Sequence, residues 1–325
     1  MELAVIGAGT WGTALAHHLD GRGHLVALWA YEEVIARQIR ELGENQTYLP
    51  GIPLSPRIQV THILKEALVG ARLIVLVAPS FALRAVMVEA APHVPPDVPL
   101  LSATKGLEEE TQLRMTQVVQ GCLPQTPREG IACLSGPSFA REVARGLPTA
   151  VCVAAPDAAL AAHVGEVFAS PAFRVHPSCD VVGVELGGAV KNVVGVAAGI
   201  CEGLGLGFNA QAAVITQGLA EMARLGEQLG ADRATFWGLA GLGDLVLTCM
   251  PGLSRNRTLG VELGRGRPLA ELLGQTTSVI EGVRTARAVY RLAARHGVPM
   301  PLCLQVYRVL YEGVSPPEIL TALGR

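Results

Sequence analysis

The chain has 325 residues, half of them apolar and 17% charged, with a formal net charge of −2 and a mean hydropathy of +0.37. That much apolar material supplies cores for about two domains and excludes a disordered chain. A near-neutral charge also lacks the uniform basic field of a nucleic-acid binder and suits a small charged ligand better.

Short apolar runs alternate with helix-like segments through the first half, which predicts a doubly wound α/β (Rossmann) domain with a parallel sheet. Strands are expected at 3–7, 25–29, 73–77, 100–103, 131–134 and 150–153, with a further edge strand around 173–176. The first apolar run begins at Leu3 with no basic leader before it, so secretion is not expected and the protein reads as cytoplasmic. Seven dispersed cysteines, odd in number and without a C-x-x-C, read as reduced core residues. Near residue 182 the pattern changes to helical spacing, so the expected division is a dinucleotide-binding domain over 1–182 and an all-helical C-terminal domain over 183–325. The apolar stretch 181–200 approaches membrane-spanning length but carries Glu185, Lys191 and Asn192, and reads as a helix buried in protein. The tail from 315 onward, SPPEILTALGR, reads as a short terminal helix.

The first strand runs into GAGTWG, a G-x-G-x-x-G that opens a helix. In that setting Gly7 permits a tight turn, Gly9 lets backbone N–H groups approach a pyrophosphate, and Gly12 allows close helix packing. Glu32 lies twenty positions after Gly12, where an acid can bind a ribose hydroxyl and favour NAD. Arg37 stands one turn further along and could serve a 2′-phosphate, so both NAD and NADP stay open as cofactors.

Only three of the 26 basic residues are lysine: Lys65, Lys105 and Lys191. Arginine keeps its proton in a protein, whereas a lysine can be driven towards neutrality, so lysines in an arginine-rich chain mark candidate acid/base positions. On a helix, Lys191 has Gly187, Gly188 and Gly195 as its i−4, i−3 and i+4 neighbours. A side-chain-free face of this kind could admit a planar ring or small substrate, with burial lowering the amine's pKa; the alternative is helix packing through small residues, with Lys191 paired to a carboxylate. Asp244, after a glycine turn, is expected to be an N-cap, and enters the chemistry if the fold brings it to Lys191. Ser254, Arg255 and Asn256 in SRNRTLG offer a hydroxyl, a forked guanidinium and an amide suited to a phosphate monoester. GPSFA, residues 136–140, follows a strand and opens a helix, so Ser138 and backbone donors could also face an anion. It lacks the last glycine of a nucleophile elbow. No metal-binding motif is readable.

Taken in order, GAGTWGTALA, SATKGLE, SGPSFA, ELGGAVKNVVGVAAGI, GLAGLGDLVLTC, SRNRTLG and IEGV resemble the soluble, bacterial-type NAD(P)-dependent glycerol-3-phosphate dehydrogenases over nearly the whole chain. The resemblance implies reversible reduction of dihydroxyacetone phosphate to sn-glycerol 3-phosphate, an oxidoreductase step feeding phospholipid biosynthesis, in a cytoplasmic homodimer with no nucleic-acid or membrane partner. It further implies that Lys191 is the proton donor and acceptor, with Lys105 and Asp244 beside it. Thr10, Trp11, Tyr31, Tyr48, Lys105, Ala140, Arg255, Val279 and Glu281 would line the cofactor, together with Gly7, Gly9 and Gly12. Lys105, Gly136, Ser138, Lys191, Asp244, Ser254, Arg255 and Asn256 would surround the substrate. Tyr31 stands where many members carry a basic residue. A β-hydroxyacid dehydrogenase, also a Rossmann domain followed by helices and a lysine base, is the nearest other enzyme reading; a nucleotide sensor without turnover would need no proton donor.

Overall fold

The computed structural model describes residues 1–276 and 279–322. The chain forms two compact units: 1–104, 115–134 and 138–181 make the first, and 105–114, 135–137 and 182–325 the second.

The first unit is built on eight strands: β1 (Glu2–Ile6), β2 (Leu25–Trp29), β3 (Gln59–Thr61), β4 (Leu73–Leu76), β5 (Leu100–Ser102), β6 (Ile131–Ser135), β7 (Thr149–Ala154) and β8 (Phe173–Ser178), in the order β3-β2-β1-β4-β5-β6-β7-β8. The pairs β1–β2, β1–β4, β2–β3, β4–β5, β5–β6 and β7–β8 are parallel. The central strands LIVL and IACLS are buried at every residue, as a parallel sheet covered on both faces requires. Order 3-2-1-4-5-6 is the Rossmann arrangement, and the chain reverses direction across the sheet between β1 and β4, where ligands bind beyond the strands' carboxyl ends. β8 lies at the sheet's edge and tolerates Pro177, which cannot donate to a ladder. β3, at the other edge, is not among the strands expected from the sequence.

The second unit's regular elements are helices. The long helix Val181–Gly203 meets the length and hydropathy of a membrane span, but 94% of its most apolar window is buried inside the protein. Its polar side chains are tethers, Glu202 pairing with Arg257 near the C-terminal end. Glu185 pairs with Arg114 at 2.5 Å, Lys191 pairs with Asp244, and Asn192 Oδ1 accepts from Asn256 Nδ2 at 2.9 Å. The helix Arg255–Gly264 packs directly on this one: a Cβ on Gly203 would sit 3.0 Å from Gly264 Cα, and one on Gly260 2.9 Å from Gly199 Cα. Backbone contact this close holds Ser254 to Asn256 beside the middle of the long helix. Elsewhere in the unit, buried Glu221 accepts the N–H groups of Leu302 and Cys303 at 2.7 and 3.0 Å, satisfying the start of helix Pro301–Tyr311. The tail forms a 3-10 helix over Pro316–Ala322; the rest of the expected terminal helix lies outside the described residues. Of the cysteines, Cys133, Cys201, Cys249 and Cys303 are buried as expected, Cys122 and Cys152 are half-buried, and Cys179 is exposed, a correction to the reading of all seven as core.

Candidate active site

The glycine loop follows β1 at the sheet's reversal point. Gly7 has φ of +122°, and a Cβ there would meet the Val77 carbonyl at 3.0 Å, so the turn itself requires glycine. Gly12, inside the helix Thr10–Gly21, would drive a Cβ into the Gly7 carbonyl. Gly9 differs from both. It caps the helix in an extended conformation with φ of −70°, and a Cβ on it would meet nothing within 4 Å. Protein packing gives no reason for a glycine there, whereas close approach by a ligand to the helix N-terminus does. Trp11 Nε1 is likewise buried without a hydrogen-bond partner. These features fit a dinucleotide.

Asn45, which sequence reasoning missed, ties a second loop to this one. It is fully buried, donates from Nδ2 to Ala8 O and to Thr13 Oγ1, both at 2.8 Å, and accepts from Tyr48 N at 3.1 Å. Tyr48 OH in turn donates to Glu32 Oε1 at 3.0 Å, at the start of helix Glu33–Leu42. Burial and the Glu32 carboxylate raise the Tyr48 pKa, so the phenol remains the donor. Tyr31 is 75% exposed, its ring edge-on to Trp29. Ser138 and Ala140 also belong to the first unit, around the start of the five-residue helix Ala140–Ala144.

In the second unit, two of the three lysines share one carboxylate. Lys105 Nζ donates to Asp244 Oδ2 at 2.7 Å and to Gly136 O at 2.8 Å, while Lys191 Nζ donates to Asp244 Oδ1. Asp244 is 1% exposed and Lys191 8%. Asp244 is the first residue of helix Asp244–Cys249 and not its N-cap, because the turn Leu239–Gly243 is already helical and runs straight into it; the expected N-cap is corrected accordingly. Burial pushes the Asp244 carboxyl up, but the charges of Lys105 and Lys191 more than offset this and hold it below its ordinary value. Burial lowers the Lys191 amine to about 8, the nearby Lys105 charge acting in the same direction and Asp244 opposing it. An ionised aspartate therefore sits beside an amine able to exchange a proton near neutral pH.

The glycines around Lys191 do not form an open face. A Cβ on Gly187 would strike the Ala240 carbonyl, one on Gly188 would strike Ser135 Oγ, and one on Gly195 would lie 2.7 Å from Thr248 Cγ2. The face expected to admit a ring or substrate is filled by protein. Its missing side chains instead admit protein groups beside Lys191: Gly187 lets in the turn that leads to its partner Asp244, and Gly188 lets in Ser135, with Lys105 Cγ 3.6 Å away. Ser135 Oγ, a second group missed from sequence, is buried there without a hydrogen-bond partner.

Ser254 caps helix Arg255–Gly264, its Oγ accepting from Arg257 N at 3.3 Å. Asn256 brackets three helices, donating to Asn192 and accepting from Gly282 N at 2.9 Å. Arg255 is exposed, donates to Val279 O at 3.3 Å and feels the charge of Glu281, so these three residues form one group. Among the described residues no cluster of three or more His, Cys, Asp or Glu could hold a metal ion.

A Rossmann sheet with an anion-ready glycine loop, in a chain that also carries a buried lysine–aspartate–lysine cluster, defines the class as a dinucleotide-binding oxidoreductase fold. Residues 2–161 match the N-terminal part of the NAD-dependent glycerol-3-phosphate dehydrogenases and residues 180–321 the C-terminal part. The chain belongs to that family. It is 52% identical over 311 residues to a glycerol-3-phosphate dehydrogenase [NAD(P)+] of Geobacter sulfurreducens, covering 96% of this chain and 93% of the relative. A protein of the same name from Citrifermentans bemidjiense is 49% identical over 322 residues, covering 99% and 96%. The crystal structure of glycerol-3-phosphate dehydrogenase from Coxiella burnetii superposes with a TM-score of 0.95 at 41% identity, covering 100% of this chain and 99% of that one.

Proposed function

We infer that this chain catalyses the reversible reduction of dihydroxyacetone phosphate to sn-glycerol 3-phosphate with NADH or NADPH. The observation that carries the reading is the carboxylate of Asp244 shared by Lys191 and Lys105, in a chain of this family. The loop of Gly7, Gly9, Thr10, Trp11 and Gly12 would hold the dinucleotide, with Glu32 and Tyr48 towards a ribose; resemblance adds Tyr31, Ala140, Arg255, Val279 and Glu281. When bound, the nicotinamide exchanges a hydride with C2 of the substrate. Lys191 donates its proton to the oxygen developing on that carbon, and takes it back in the oxidative direction. Asp244 holds the amine in place, and Lys105 adds positive charge where negative charge grows. Arg255, at the start of its helix beside Ser254, is suited to the phosphate.

The Glu32 carboxylate after β2 favours a free ribose 2′-hydroxyl and so supports NADH over NADPH. Family resemblance supports a cytoplasmic homodimer supplying glycerophospholipid synthesis. Steady-state rates with dihydroxyacetone phosphate and each of NADH and NADPH test the reading, with a carboxylate-bearing 3-keto acid as comparison. Turnover of the phosphate ketone is expected, faster with NADH at equal concentration. Turnover of the keto acid alone would overturn the substrate assignment.

A further inference from the structure

Lys105 opens the segment 105–114, and several side chains along it hold that segment to the helices of its unit. Leu107 is 1% exposed and packs into the helical core. Leu107 and Arg114 form an antiparallel bridge, with Glu108 N donating to Leu113 O at 3.0 Å, and Arg114 pairs with Glu185. Gln112 adopts φ of +60°, an unusual conformation for a residue with a side chain, and its amide donates to Glu109 O and Glu110 O at 3.2 and 2.7 Å while Arg295 donates to its Oε1.

Glu109 is a further tether. Its side chain is 12% exposed, and its carboxylate meets Arg287 at 2.7 Å and Arg284 at 3.3 Å. The Arg287 guanidinium lies 4.0 Å from the centre of the Tyr311 ring, and Tyr311 OH donates to Val283 O at 2.9 Å. Arg287 is thus fixed on one side by a carboxylate and on the other by an aromatic face, an arrangement that restrains its long side chain before the ion pair forms. Arg284, Arg287, Arg291 and Arg295 follow one stripe of helix Glu281–His296, whose opposite face is buried through Val283, Ala286, Val289 and Ala293. Single exposed ion pairs contribute little, but a network with partly buried members holds geometry.

We propose that Glu109, clamped through Arg287 to Tyr311, is a positioning residue that keeps Lys105 on Asp244. The proposal rests on the reading above that Lys105 serves the reaction. The clamp lies four residues along the chain from Lys105, whose ammonium donates to Asp244 and to Gly136 O. Loosening the segment trades those bonds for solvent, and a small displacement of a charged group costs rate out of proportion to the distance moved.

With three lysines in the chain, amine labelling gives a direct readout, because exposed Lys65 serves as internal standard. Acetic anhydride is applied to the full-length protein, and acetylation of Lys105 relative to Lys65 is read by peptide mass spectrometry. Glu109→Gln and Arg287→Met, which break the clamp from its two sides, should each raise that ratio about fivefold through local opening. An unchanged ratio in either folded variant overturns the clamp. In turnover, Glu109→Gln should lower kcat/KM about tenfold in the native background but less than about twofold on top of Lys105→Ala, because residues acting through one another are not additive. Equal losses in both backgrounds would mean that Glu109 acts elsewhere. A Lys105→Ala enzyme with native turnover would refute the role of Lys105 itself, and the labelling ratio would still decide the clamp.

Discussion

Asp244→Asn is the most informative single change, since it keeps the side chain's shape and removes the charge that two lysines share. Breaking a buried ion pair by removing one partner costs about 3–5 kcal/mol. The lower end applies, because asparagine still offers one acceptor and Lys105 retains 17% side-chain exposure. If about 3 kcal/mol falls on the protonation of Lys191, at about 1.4 kcal/mol per pH unit its pKa drops by about 2. With Lys191 as the proposed proton donor, reduction requires the protonated amine, which is present below the pKa and lost as pH rises through it. The alkaline limb of kcat/KM for dihydroxyacetone phosphate reduction should therefore lie near 8 in the native enzyme and about 2 pH units lower in the variant. At pH 7 that shift alone removes about nine-tenths of the active form. The assay follows nicotinamide absorbance from pH 5.5 to 9.5. A variant whose alkaline limb stays at the native position would refute the account of how Asp244 governs Lys191.

The glycine loop gives a paired test. Gly9→Ala should change thermal stability by less than about 0.5 kcal/mol, because its Cβ enters open space, yet weaken NADH binding about tenfold or more by fluorescence titration. Gly12→Ala should cost about 2 kcal/mol of stability through its clash with the Gly7 carbonyl, and equal stability of the two variants would contradict the division of roles. Arg255→Ala should raise KM for dihydroxyacetone phosphate about 10- to 100-fold, the range of a lost charge-assisted hydrogen bond, with a smaller effect on kcat. An unchanged KM would remove Arg255 from the phosphate site.

What the sequence made legible follows from the range of the interactions involved. Strands such as LIVL and IACLS declare themselves because burial on both faces forces an unbroken apolar run. β3 does not: its three residues QVT are polar at both ends and pair only through β2. The loop Gly7 to Gly12 is legible because turn and helix constraints act within six residues. Lys191 stands out by residue type, and its helical spacing correctly places Gly187, Gly188 and Gly195 around it. Periodicity tells which residues share a face and not what covers it, and that face is covered by Ala240, Ser135 and Thr248. Asp244 reads locally as a cap, since its meaning comes from a lysine 53 positions away. Asn45 and Glu109 did not stand out in the sequence, because the bonds of Asn45 to Ala8 and Thr13, and of Glu109 to Arg284 and Arg287, join residues that only the folded chain brings near.

The central claim is that Lys191 moves the proton. The direct measurement is steady-state and binding analysis of Lys191→Ala, with dihydroxyacetone phosphate and NADH at pH 7. The account expects kcat to fall about 10²- to 10⁴-fold, the contribution of positioned proton transfer, while the NADH dissociation constant stays within about twofold. A Lys191→Ala enzyme with near-native kcat would contradict it.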